Sequence, residues 1–355
     1  MPFSKENRYG SISGIFFVAL VAASATYIAE SAFLKALGIS PLVIGIVIGI
    51  FYANAFHNRF PLSWESGIVF SAKKILRFAI VFYGFRITFQ QIADVGIEGF
   101  LVSFIMLVST FLLGSWLGHK IFKMDRDTAM LTASGASVCG AAAVLATEPV
   151  LRAESHKAAI AVSMVVLFGT ISMFLYPVFY ATVIEPARGF FHMDPNEFGI
   201  YVGGTIHEVA QVVAVPASIP GAPEVMANNA VIVKMTRVIL IAPMLVVLGL
   251  YLSFSAKKTG TAAGGVKIVI PWFAVYFIGM AGFNSLHIVS ENIVCFINQV
   301  DTFLLTMAMS ALGMGTRFSR FKGLGLAPLY TAGVMFLWLV VGGFVVTKSV
   351  VAIFS

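Results

Sequence analysis

Two groups of residues in this sequence could do chemistry inside an otherwise apolar chain. The first is His207-Glu208-Val-Ala-Gln211, in the middle of a membrane-length hydrophobic stretch. It resembles the start of a zinc-protease motif, but Gln211 stands where the second metal ligand should be. The other histidines (His57, His119, His156, His192 and His287) fall near loops or helix ends. No metal and no cofactor are therefore expected. Two readings stay open for the group: a structural cluster making interhelical hydrogen bonds, or a proton-titrating set of His207, Glu208 and Gln211 lining a substrate path. The second is preferred, because His titrates near neutrality and a buried Glu can be raised towards it.

The second group is Lys234 and Arg237, ten and thirteen residues past Glu224. At about 1.5 Å per residue they lie roughly 15–20 Å down a helix, on one face of it. That depth is near mid-bilayer, where charge is costly and functional. They pair internally with an acid such as Glu208, or they neutralise an anion. Lys74 and Arg77 carry a similar pattern, but long side chains there could snorkel to the surface. Counting only Glu208 as an opposing acid, the spans hold an excess of fixed cations, so the site should recruit an anion.

These residues need helices to hold them. The chain has 355 residues, 59% of them hydrophobic and only 11% charged. Soluble domains carry about a quarter charged residues, so the composition specifies an all-α polytopic membrane protein, one domain over 1–355. The net charge of +7 reflects loops facing an anionic leaflet, not nucleic acid. Cys139 and Cys295 form no disulfide or metal pattern.

Hydrophobic stretches bounded by charges and breakers predict eleven helices, at about 12–29, 39–56, 66–88, 99–119, 127–147, 157–183, 197–215, 224–253, 268–286, 297–316 and 324–350. Of the 23 Lys and Arg residues, thirteen fall on the side of the N-terminus and five on the other. The positive-inside rule then puts the N-terminus in the cytoplasm and the C-terminus in the periplasm.

Two features recur five helices apart. Gly45 and Gly49 of the second stretch match Gly199 and Gly203 of the seventh, and Lys74 and Arg77 of the third match Lys234 and Arg237 of the eighth. An odd offset inverts the second copy, giving inverted-topology repeats over 39–183 and 197–350, with 12–29 as an extra helix. The offset also pairs the small-residue run Ser134-Gly135-Ala-Ser137-Val-Cys139-Gly140 with Gly313 and Gly315. Glycine-interrupted helices at matching positions suggest discontinuous crossing helices at 127–147 and 297–316, whose positive half-helix ends would cradle an anion. The bland alternative for the first run is close packing of small residues. Asn229, one to two turns above Lys234, could hydrogen-bond an oxyanion or merely bridge helices.

Two of these stretches, SGASVCGAAAV (134–144) and GGTIHEVAQVV (203–213), resemble the YeiH-like bacterial inner-membrane proteins, a group assigned to sulfate export. The resemblance covers nearly the whole chain. It implies membership of the superfamily of bile-acid symporters and cation/proton antiporters, with broken helices crossing around the site. The carboxylate usual in proton antiporters is absent from the fifth helix, which argues against a sodium/proton role. The expectation is thus a secondary active transporter, not an enzyme, that exports a small oxyanion such as sulfate, sulfite or a sulfonate. Its expected partners are that anion, protons or sodium, the lipid bilayer, and, as an open question, further copies of itself. The substrate-binding set is Lys234, Arg237, Ser134, Gly135, Ser137, Cys139, Gly140, Asn229, Gly313, Gly315, Lys74 and Arg77. The rivals are a cation/proton antiporter and an intramembrane hydrolase.

Overall fold

The computed structural model describes residues 7–31, 40–56, 61–259, 272–317, 319 and 325–354. A helix occupies each of the eleven stretches. In chain order they are α1 (Arg8–Ala29), α2 (Pro41–Ala55), α3 (Glu65–Phe70), α4 (Leu76–Tyr83), α5 (Phe89–Trp116), α6 (Arg126–Ser137), α7 (Ala141–Leu151) and α8 (Ser155–Phe179). There follow α9 (Pro195–Thr205), α10 (Val209–Ala217), α11 (Glu224–Ile239), α12 (Ile241–Thr259), α13 (Trp272–Ser285), α14 (Glu291–Gly315), α15 (Leu326–Leu337) and α16 (Gly343–Phe354). Among the described residues, six spans are long and apolar enough to cross a membrane: Arg8–Ala29, Phe89–Ile121, His156–Ile184, Glu224–Phe254, Glu291–Gly315 and Leu326–Phe354. Large apolar side chains such as Phe16, Leu112, Val247 and Val341 are exposed, as a hydrocarbon solvent requires. The outer ends of the stretches at 39, 268 and 324 lie outside the described residues. So do several loop cations used for orientation, among them Lys5, Arg59 and Lys322.

The chain forms two compact units. The first comprises Met1–Ala93, Val213–Pro223 and Phe273–Ser319, and the second comprises Asp94–Val212, Glu224–Trp272 and Arg320–Ser355. Each unit draws on both of the segments expected to be repeats.

In the first unit α14 is the spine. It packs along α2, and also meets α1 and α4. The α2–α14 contact is set by glycines: a Cβ on Gly313 would reach within 3.0 Å of the Gly49 Cα, and one on Gly49 would strike the Ser310 carbonyl. Backbones this close leave no room for a side chain at either position. Val18, Ala22, Met307, Ala311 and Met314 fill the core beside that contact.

Here one expectation fails. Residues 297–316 do not form a broken helix, because α14 runs unbroken from Glu291 to Gly315. Gly313 serves close packing, and Gly315 stands at the last position before the Thr316 C-cap. Glycine is tolerated inside a helix when the gain is a close helix–helix approach.

In the second unit the expected break at 127–147 is present: α6 ends at Ser137 and α7 begins after Gly140. Gly140 has φ +75° and ψ −136°, a conformation that only glycine adopts without strain. The second break is elsewhere, between α9 and α10 at Ile206-His207-Glu208, where Ile206 is extended (φ −71°, ψ 147°). The breaks thus fall two helices apart and not five. Asp125 caps α6 through the Asp127 and Thr128 N–H groups. Asp194 and Glu197 form a capping box at the start of α9, and Lys348 bonds Glu197 at 2.9 Å. Leu131, Val144, Ala158, Ala161 and Val165 pack the two halves α6 and α7 against α8.

Candidate functional site

Each break leaves carbonyls at the C-terminal end of one half-helix with no partner in the chain's own helical ladder. Lys234 and Arg237, both fully buried on α11, supply the missing donors. The Lys234 ammonium donates to the carbonyls of Val138, Ile206 and His207, each at 2.7 Å. Arg237 donates through Nε to the Ser137 carbonyl at 3.1 Å and through Nη1 to the Gly204 carbonyl at 2.6 Å. Its Nη2 reaches the Ala136 carbonyl at 3.2 Å and Ser137 again. Two cations thereby tie together the ends of α6 and α9, where the helix dipoles place partial negative charge. Three residues apart on one helix, they present a single face to both breaks.

The geometry explains why α9 stops where it does. Residues 206–208 contain neither Gly nor Pro, and Gly203 and Gly204 lie before the break. The close approach of α9 to α11 belongs to Gly199 and Gly203, whose added Cβ atoms would meet the Met226 and Ala230 carbonyls. What stabilises the irregular turn is a buried ammonium that donates to the freed carbonyls. Tyr176 and Tyr201 brace the same end: Tyr176 donates to the Thr205 hydroxyl at 3.0 Å, and Tyr201 to the Val340 carbonyl at 2.7 Å.

The half-helices α7 and α10 start from the other side of these breaks, so their N-terminal ends, with partial positive charge, also lie there. Glu208, half-buried, stands beside Gly140, where an added Cβ would come within 3.1 Å of its Oε1. Gln211 lies fully buried against Gly169 of α8. Its Oε1 accepts the Glu208 backbone N–H at 3.1 Å, a helix-capping contact. The Gln211 Nε2 and the His207 Nδ1 are buried and have no hydrogen-bond partner among the described residues.

The remaining candidates divide. Ser134 shares a hydrogen bond with Thr147 at 2.6 Å, and Ser137 bonds the Ser134 carbonyl at 3.2 Å. The Ser134 hydroxyl therefore ties α6 to α7, and the Ser137 hydroxyl bonds within α6. Gly135 packs against Val144 and Val165, and Cys139 is a buried free thiol at the break. Asn229 faces Asn196 near the start of α9, with the amide and the carbonyl oxygen 3.5 Å apart. The structure thus brings Ser134, Gly135, Ser137, Cys139, Gly140, His207, Glu208, Gln211, Lys234 and Arg237 into one unit. Lys74, Arg77, Gly313 and Gly315 belong to the other unit. There Lys74 is exposed, and Arg77, also exposed, lies over the Phe273 ring at 5.7 Å.

The charge count also needs correction, because sequence reasoning passed over a second intramembrane acid. Asp301, ten residues into α14, is 1% exposed. Its Oδ2 lies 3.3 Å from Arg86 Nη2, which also bonds the Asn298 carbonyl and the Thr302 hydroxyl at 2.7 Å each. The signal was a lone Asp between Val300 and Thr302 in an apolar stretch.

A family model described as conserved hypothetical protein 698 matches residues 13–332. A UPF0324 membrane protein of Pseudomonas putida is 48% identical over 96% of this chain and 94% of its own length. One from Bacteroides thetaiotaomicron is 43% identical over 95% and 98%. The UPF0324 inner membrane protein YeiH of Escherichia coli is 46% identical over 86% and 84%. No solved structure matches.

Proposed function

This chain belongs to the conserved hypothetical protein 698 family and is a multi-pass inner-membrane protein, and from that premise we propose that it is a secondary active transporter of a small oxyanion. The observation that carries the reading is the pair of helices broken at mid-span whose ends meet at Lys234 and Arg237. Discontinuous helices with converging ends are how transporters build a midplane site. We read the scaffold as inverted repeats with the N-terminus cytoplasmic. In support, Gly45 and Gly49 on α2, and Gly199 and Gly203 on α9, each seat a glycine helix on a long partner.

The sign of the substrate follows from the charges. The two negative half-helix ends and the two positive ones cancel to first order, so two cations against the Glu208 carboxylate leave about one net positive charge. Because the donors of Lys234 and Arg237 are committed to carbonyls, the anion would be held by the N-terminal N–H groups of α7 and α10. The two cations would act through space and by keeping the breaks open. Protonation of Glu208 adds a further positive charge and strengthens anion binding, which couples the two. A sulfur oxyanion such as sulfate, sulfite or a sulfonate, exported with a proton, fits this chemistry. The proposal is of a carrier and not an enzyme.

The test is flux in proteoliposomes across a panel of sulfur oxyanions and carboxylates at several pH values. Saturable, pH-dependent flux of one of these is expected, and Glu208→Gln should flatten its pH profile. Absence of flux for the whole panel would sink the reading. One observation favours a second reading, a cation/proton antiporter: the buried carboxylate of Asp301. Sodium- or potassium-dependent proton flux with no anion requirement would select it.

A further inference from the structure

Arg86 and Asp301 lie outside the site just described, and their unit contains an arrangement that the transport reading does not use. Asp301 is ten residues from the start of α14, about 15 Å along a helix in a core about 30 Å thick. Its two carboxylate oxygens are treated differently. Oδ2 receives Arg86. Oδ1 is buried with no hydrogen-bond partner among the described residues, and the same holds for Oδ1 of Asn298. Asn298 and Asp301 are three apart on one helix face, where side chains are neighbours. Two bare acceptor oxygens on residues one helical turn apart at this depth are costly as they stand. One proton would resolve both. A protonated Asp301 becomes a donor through Oδ1, and the Asn298 oxygen is an acceptor within the reach of an i, i+3 pair.

Arg86 does not need the carboxylate charge to stay where it is. Its Nη2 is also held by the Asn298 carbonyl and by the Thr302 hydroxyl, which in turn donates to that same carbonyl at 2.9 Å. Its guanidinium lies 5.1 Å from the centre of the Tyr83 ring, a cation–π contact, and its side chain keeps 28% exposure. The elements packed on α14 carry other ionisable groups: Arg8, Tyr9 and Tyr27 on α1, Tyr52 on α2, Glu65 on α3, Lys73 and Lys74 in the π-helical segment Ser71–Ile75 before α4, and Arg77 and Tyr83 on α4. Glu65 is paired with Arg317. Among the described residues, Arg86 is the charged side chain within ion-pair distance of Asp301.

We propose that Asp301, with Asn298 as its acceptor and Arg86 as a fixed counter-cation, is a proton-binding site in the first unit, separate from Glu208. No bond is made or broken beyond the O–H of the carboxylic acid; the proton comes from water and returns to it.

The experiment is infrared difference spectroscopy of the full chain in lipid nanodiscs, titrated over roughly pH 5 to 9, following the C=O stretch of protonated carboxylic acids. A titrating band should appear that Glu208→Gln retains and Asp301→Asn removes. If Asp301→Asn does not fold, Asn298→Ala decides. Losing one acceptor for the acid form should move the midpoint down by up to about one pH unit. A band unchanged in Asp301→Asn, no titrating carboxyl band at all, or a midpoint that Asn298→Ala leaves alone or moves up would each overturn the proposal. The measurement needs no substrate, so it stands or falls independently of anion flux.

Discussion

The two units each hold cationic side chains in helical surroundings, and they settle them with opposite kinds of partner. In the second unit Lys234 and Arg237 meet carbonyl dipoles from two broken helices. In the first, Arg86 meets a carboxylate as well as a carbonyl and a hydroxyl, on a helix that does not break. Carbonyls carry no proton to gain or lose, so in the first kind of partnership the acceptors do not titrate. A carboxylate does, so the second can change state with one proton. Helix ends hold a charge in place for architecture, whereas an acid holds it conditionally.

The comparison is broken most directly by removing the donor from a partnership of the first kind. Lys234→Met leaves three buried carbonyls without this donor and should cost roughly 3–5 kcal/mol, since each buried acceptor left unsatisfied costs about 1–3 kcal/mol. A detergent-solubilised melting curve should show the variant unfolding well below the parent or failing to accumulate, and a parental melting temperature would refute the role given to Lys234. The next largest effect concerns the break. Gly140→Ala places a Cβ at φ +75° against the Glu208 side chain and should cost roughly 1–3 kcal/mol of strain. Stability equal to the parent would mean that the turn is not as drawn. The smallest effect sharpens the contrast: Asp301→Asn keeps an acceptor for Arg86 and should lower stability by only about 1 kcal/mol. A loss as large as that of Lys234→Met would erase the distinction between titrating and non-titrating partners.

Much of this was legible from residue types alone. Apolar runs bounded by charges located the long helical stretches of the described residues, because a chain in lipid must satisfy its backbone within helices. The break at 138–140 was legible because Gly140 announces it. The break at 206–208 was not, since its cause is Lys234, 28 residues away from Ile206 in sequence, and no local residue marks it. Gly313 and Gly315 misled for the converse reason: glycine signals both a break and a close contact, and only the facing Gly49 decides between them. The binding role first read for Lys234 and Arg237 rested on counting whole charges. That count leaves out the half-charges of helix ends, and it also passed over Asp301.

The short halves α6, α7, α9 and α10 contain 12, 11, 11 and 9 residues. Each is about half the roughly 20 residues that a membrane-inserting apparatus reads as a span, so none is inserted by its own hydrophobicity. The carbonyls left open after Ser137 wait for an ammonium that lies 96 residues further along than Val138. During synthesis the first break is therefore a debt carried through the emergence of four more helices, α7 to α10, and the ribosome must deliver α11 before that part of the protein can close.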